Sequence, residues 1–238
     1  MKATLRLFTF LLLIAGTLSC SHRYYTNSLF EQQTKNHHVV AILPAEMIFT
    51  GNQPKELSAD DIKQIEETES LSFQQALYNS ILRYANTSKY FTTVNIQDIG
   101  TTLSLLKKDS ISIRDSWQKD DRELCRILNV DAVVRMRIRK QRYMSDMASY
   151  GIGVAKQVIF NSGIGAKIPV PNMVNKTNDI YASCSLLSNN YALWNDSYKA
   201  SINYNGDATQ VIENITDDFG RNFPYKKTYK QQRREQRG

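Results

Sequence analysis

Leu128-Asn129-Val130-Asp131-Ala132-Val133-Val134-Arg135-Met136-Arg137-Ile138-Arg139 is the stretch whose reading decides the fold. Upstream, Asp120 and Asp121 open a helix with acids that suit its positive end, and Leu124, Cys125, Ile127 and Leu128 gather on one side. Asn129 tolerates the left-handed backbone that ends a helix. A strand then begins at once. Its alternation directs Ala132, Val134, Met136 and Ile138 one way and Val133, Arg135, Arg137 and Arg139 the other. A helix that passes directly into a half-buried strand implies a sheet with helices packed on it.

Toward the N-terminus, Val39-Val40-Ala41-Ile42-Leu43-Pro44 reads as a buried strand, rich in β-branched residues and ended by proline. Residues 45–57 carry Gly51, Asn52 and Pro54 and read as a loop. Ser58, followed by Asp60 and Asp61, starts a helix. A polar piece over 60–69 leads into a strong amphipathic helix, in which Leu71, Phe73, Ala76, Leu77, Ile81, Leu82 and Ala85 share a face. Asn86-Thr87-Ser88 ends it, and a short strand follows at Val94–Ile96. Strand, helix, strand in this order predicts a crossover unit. Residues 98–118 read as a short helix and a loop.

Toward the C-terminus, Ile180, Ala182, Cys184 and Leu186 alternate with Tyr181, Ser183, Ser185 and Leu187. Ser188-Asn189-Asn190 turns the chain, and Tyr198, Ala200, Ile202 and Tyr204 share a face of the returning strand. Residues 207–223 form a last helix on Val211, Ile212, Ile215 and Phe219, stopped by Pro224. The fold class is therefore α/β (α+β): a mixed twisted sheet of about five strands with helices packed on it, as one domain over 38–225. Residues 20–37 read as a flexible tether and 226–238 as a flexible basic tail.

Residues 1–19 have the layout of a secretory leader. Lys2 and Arg6 precede an apolar run from Leu7 to Ala15, and Gly16-Thr17-Leu18-Ser19 leads to Cys20. The run falls short of the roughly 20 apolar residues that span a bilayer. The formal net charge of the whole chain is +7, and loss of Lys2 and Arg6 with the leader lowers it by two. A moderately basic surface suits partners that carry phosphates or carboxylates. The export leader argues against nucleic acid.

Few residues advertise chemistry. His22, His37 and His38 are the only histidines, all near the start, so zinc-ligand spacing is absent and no metal or cofactor is expected. A Gly-x-Ser-x-Gly elbow is missing, and a Ser-His-Asp set would have to draw its base from the tether. Asp120-Asp121 and Asp217-Asp218 are adjacent acids that suit helix ends better than acid/base pairing. No enzyme and no small-molecule substrate is read from this chain. Cys125 and Cys184 are a possible disulfide pair in an oxidising compartment, or two buried thiols on apolar faces.

Two surfaces remain as candidates. Arg135, Arg137 and Arg139 form a row that suits an anionic partner; the plainer reading is a solvated sheet face. Residues 144–178 are glycine-punctuated and apolar, with Gly151-Ile152-Gly153 and Gly163-Ile164-Gly165 lacking the residues of a phosphate or dinucleotide loop. They read as a long hairpin connection, or as a surface that docks on a membrane or another subunit.

Ser19-Cys20 resembles the end of a bacterial lipoprotein signal, although Thr17 stands where leucine is usual. That resemblance implies acylation of the Cys20 thiol and cleavage before it, with several acyl chains giving stable anchoring. The plainer alternative is an ordinary cleaved leader with an incidental cysteine. Ser21-His22-Arg23 carries no acid after the cysteine, so the periplasmic side of the outer membrane is the expected address.

The opening strand, the helix around Phe73–Tyr84, the Leu128–Val134 junction, Leu193-Trp194 and the closing Phe219–Tyr225 together resemble a group of small envelope lipoproteins. The group includes the curli-secretion lipoprotein, the outer-membrane activator of peptidoglycan synthase and the Tol N-terminal domain. Asn129-Val130-Asp131 stands where members often have Gly-Ala-Asp. These are fold motifs. The resemblance implies a non-enzymatic protein that assists assembly or regulation of envelope machinery through an envelope protein partner or homo-oligomer. The alternative is a binding module for an anionic envelope polymer or lipid headgroup, through Arg135, Arg137, Arg139 and the basic tail.

Overall fold

The computed structural model describes residues 24–51, 57–85, 87–142, 176–203 and 208–235. The leader, Cys20, residues 236–238 and all but the last three residues of the 144–178 connection lie outside these ranges. The strand read at Ala132 runs to Arg142 (β6) and is central to the sheet. It lies antiparallel to β7 (Lys176–Ser188), which forms a hairpin with β8 (Tyr191–Asn203). Asn189 and Asn190 turn that hairpin with φ of 50° and 66°, the left-handed region that asparagine tolerates.

On its other side β6 pairs in parallel with β2 (Val39–Ile42) and then with β3 (Glu46–Gly51). The second pairing was not expected, since 45–57 read as a loop. Ile42 stands opposite Val134 and Glu46 opposite Arg137, so the β2–β3 path spends one residue more than β6. Pro44, which has no N–H to give a ladder, lies in that break. The extra residue flips the alternation, so Met47 faces the same side as Ile42. β5 (Asn95–Ile96) pairs in parallel with β2, completing the expected crossover.

The sheet order is β1-β8-β7-β6-β2-β5 with β3 also on β6, seven strands rather than about five. The other unforeseen member is β1 (Tyr24–Thr26), antiparallel to β8. The tether reading therefore fails for 24–37. After β1, a short helix α1 (Phe30–Gln33) buries Phe30 against Tyr225, with ring centroids 5.5 Å apart. The tail is likewise folded where it is described. β9 (Lys226–Thr228) pairs with β4 (Tyr90–Thr92), and Tyr229 of the last helix stacks on Phe91 at 5.0 Å. Backbone pairing and aromatic contacts, which charge counting does not reveal, draw the described parts of both segments into the domain.

One sheet face is closed by α2 (Ala59–Ala85) and by the helix Ala208–Arg221, here α6, counting α3 to α5 between them. α2 is one helix of 27 residues, not two pieces. It is opened by Ser58 and Asp61, which exchange backbone and side-chain hydrogen bonds. Its polar start still buries Ile65. Phe73, Leu77, Ile81, Ile215 and Phe219 pack on Val134, Met136, Ile138, Cys184 and Trp194. Each such large apolar side chain contributes about 1.5–3 kcal/mol of burial.

The opposite face is smaller. The 98–118 segment contains two helices, α3 (Ile99–Lys108) and α4 (Ile113–Gln118), where one helix and a loop were expected. Ser112 and Asp115 form a capping box that starts the second. With α5 (Asp121–Leu128), α3 covers Ala41, Leu43 and Val133 through Leu106, Leu124 and Leu128. Asn129 ends α5 at φ 53°, as its type implied.

Candidate functional site

Among the described residues, α3 and α5 cover only the Val133 end of their sheet face, and no other described element covers the part formed by β3, β6, β7 and β8. Strand register assembles it in rows: Glu46, Arg137, Ser183 and Ser197 stand side by side, then Ile48, Arg139, Tyr181 and Lys199. All of these but Glu46 line a shallow cleft of about 640 Å³.

Its centre is Tyr181. The Arg139 guanidinium carbon lies 4.6 Å from the ring centroid and the Lys199 ammonium 4.9 Å. Two cations on one half-buried ring gain on the order of 0.5–1 kcal/mol each from its negative faces. Neither has a carboxylate partner among the described residues. Arg137, exposed, is met by Glu46 at 2.6 Å. The cleft therefore presents two unneutralised cations, an aromatic ring and serine hydroxyls, a set that suits carboxylate or phosphate groups.

Arg135 departs from the row. Its Nε and Nη2 donate to Asp121 Oδ1 at 2.9 and 2.5 Å. Nη1 donates to the carbonyls of Ser116 and Trp117, and Nη2 to that of Lys119, at 2.7–2.9 Å. Arg135 thus satisfies the carbonyls that end α4 and joins them to α5. It is committed inside the domain, whereas the sequence pattern grouped it with Arg137 and Arg139. Lys199, Tyr181 and Glu46 were missed as neighbours of the arginines. The hairpin's polar alternation was visible, but which residues share a row depends on register.

Other candidate groups are used internally. Asp120 caps α5 by accepting the Glu123 N–H at 3.1 Å, while Asp121 serves Arg135. Asp217 accepts from Ser80 Oγ at 2.9 Å and Tyr84 Oη at 3.1 Å, and also pairs with Arg83. It binds two helices together rather than ending one. His37 Nδ1 is 2.6 Å from Tyr225 Oη, and burial lowers the His37 pKa while it pushes the Tyr225 hydroxyl far up.

Cys125 and Cys184 are free thiols. Burial, with help from Asp121, pushes Cys125 up to about 11, and burial raises Cys184 well above the usual thiol value. Both are therefore held protonated, the unreactive form. Among the described residues, no three His, Cys, Asp or Glu side chains are grouped to hold a metal ion, and no helix is long and apolar enough to cross a membrane. Cys20 lies outside the described residues.

No protein-family model matches this chain, and no curated protein matches it. Among solved structures, lipoprotein GNA1162 from Neisseria meningitidis aligns at a TM-score of 0.40 and 10% identity, over 74% of this chain and 90% of its own. A PelC dodecamer from Paraburkholderia phytofirmans aligns at 0.38 and 9% identity, over 78% and 87%. The C-terminal domain of LpoB from Salmonella enterica aligns at 0.34 and 10% identity, over 73% and 92%. At these scores the likeness carries no functional argument.

Proposed function

We propose that this chain is a non-enzymatic envelope protein, anchored by acyl chains on Cys20, that assists envelope machinery by binding a protein partner on the open half of its sheet. One juxtaposition carries the reading. The leader reads up to Ser19, Cys20 lies four positions before the edge strand β1, and the sheet behind that strand leaves Arg139 and Lys199 over Tyr181 with no carboxylate partner among the described residues. Cations held on a rigid strand pair suit a partner's acidic side chains, since the cost of ordering them is already met by the fold.

The test is photo-crosslinking in intact envelopes from a reactive residue placed at Tyr181, with a control at Lys107 on α3. The expected result is one envelope protein, or a second copy of the chain, joined from position 181 and absent from position 107. Identical background labelling from both positions contradicts the reading.

A second reading is a module for an anionic envelope polymer or lipid headgroup, favoured by the same two cations. Arg139→Glu with Lys199→Glu then abolishes retention on immobilised polyanion, and added salt weakens the parent protein's retention. Retention unchanged by both substitutions eliminates it.

A further inference from the structure

Among the described residues, Tyr24, Tyr25, Leu29, Tyr191 and Tyr229 are the exposed large hydrophobic side chains; the first three lie on β1 or just after it, and Tyr191 starts β8, with which β1 pairs. Tyr25, Leu29 and Tyr191 are 60%, 51% and 62% exposed. Tyr25 stands opposite Asn195 on the edge of β8. Two residues on, the Asn27 N–H donates to the Leu193 carbonyl at 2.9 Å. Leu29 follows that bond by two residues, and Tyr191 precedes it by two on the opposing strand. The strand pairing thus holds all three on one short edge.

That edge is where the chain arrives from Cys20. Four peptide steps connect Cys20 to Tyr24, and four extended residues reach at most about 14 Å. A bilayer's headgroup layer is roughly 5–8 Å deep on each side. An acylated Cys20 therefore keeps the first residues of β1 within about two headgroup depths of the hydrocarbon. The domain cannot swing away on so short a link, because β1 is already hydrogen-bonded into the sheet.

From these observations we infer that the corner formed by Tyr25, Leu29 and Tyr191 is a membrane-docking edge, lying in the headgroup region of the bilayer that holds the Cys20 acyl chains. The inference rests on the anchor assigned under Proposed function. Tyrosine suits this place: its ring is apolar and its hydroxyl stays hydrated. Leu29 adds apolar area, and Asn27, Asn189 and Asn195 flank it without charge; the acids beside it are Asp120, which accepts from Asn190 at 2.9 Å, and Glu31, which is paired with Lys227 at 3.2 Å. Docking by this edge leaves the Arg139–Tyr181–Lys199 cleft, further along β6 to β8, turned to the side and open to a partner.

Hydrogen exchange on the full acylated chain tests it, in phosphatidylethanolamine–phosphatidylglycerol vesicles and in detergent micelles. On vesicles, amides over 24–30 and 188–193 are expected to exchange at least tenfold more slowly than in micelles, while those of α3 are unchanged. Tyr25→Ser, Leu29→Ser and Tyr191→Ser together are expected to erase that slowing without changing the thermal transition or vesicle flotation. An acylated chain that floats with vesicles but shows no slowing at this corner overturns the docking edge and leaves the anchor standing. Slowing that rises with protein density at constant lipid assigns the corner to a second copy and overturns the lipid assignment. Protein recovered from envelopes without acyl chains on Cys20 overturns the anchor and, with it, the docking edge.

Discussion

Asp131 and Val39 hold each other from both directions. The Asp131 N–H donates to the Val39 carbonyl at 2.9 Å, and the Asp131 carboxylate accepts the Val39 N–H at 2.9 Å and that of His38 at 2.7 Å. The pair fixes where β2 meets β6, and so the register of the parallel core. Burial by itself would raise the Asp131 pKa; the two backbone bonds, with the nearby histidines, hold it below the usual carboxylate range. Asp131→Ala should destabilise the fold by about 1–2 kcal/mol and Asp131→Asn by less, because an amide oxygen still accepts. Urea unfolding at neutral pH checks this; equal loss in both variants contradicts it.

Gly220 on α6 crosses Ser80 on α2 so closely that a Cβ there would stand 3.0 Å from the Ser80 backbone carbon. Glycine to alanine inside an exposed helix ordinarily stabilises by about 1 kcal/mol. Here Gly220→Ala should instead destabilise by about 1–3 kcal/mol, because the two helices must separate. The sign of the change in the thermal midpoint decides the matter.

The arginines of β6 should behave differently although they look alike in sequence. Arg135→Ala leaves the ends of α4 and the half-buried Asp121 without their donor and should cost about 1.5–3 kcal/mol. Arg139→Ala removes only an exposed cation from a ring and should cost no more than about 1 kcal/mol. Similar losses at both positions contradict this division.

His37 sets an acid-side response. Burial lowers its pKa below 6.5, against the opposing charge of Asp131, and His38 adds to the lowering. The unfolded chain therefore takes up the proton first as pH falls. The stabilising contribution is complete above 6.5 and is lost as pH falls through the folded value. His37→Gln should flatten the decline in stability that sets in as pH falls below about 6.5. An unchanged slope in denaturant titrations contradicts the assignment.

Much of this architecture is legible in residue order because local signals agree. The acids before α5, the apolar side of α5, Asn129 and the alternation from Ala132 all point to one helix-to-strand transition, and the fold realises it. Where signals depend on distant pairing, reading fails. β1 is three residues without alternation, and only β8 makes it a strand. β3 follows a proline and begins out of phase with β2, although Met47-Ile48-Phe49 offered a strand signal. The arginine row was legible as a row. Its division was not, because Arg135 is claimed by carbonyls that α4 brings from elsewhere in the chain. Tyr181 and Lys199 joined the surface through hairpin register alone.

The anchor is the claim on which the functional account most depends, and the intact mass of the protein extracted from envelopes tests it most directly. The expected species begins at Cys20 and is heavier than residues 20–238 by a diacylglycerol and a further acyl chain. A species that begins elsewhere, or that carries an unmodified Cys20 thiol, contradicts it.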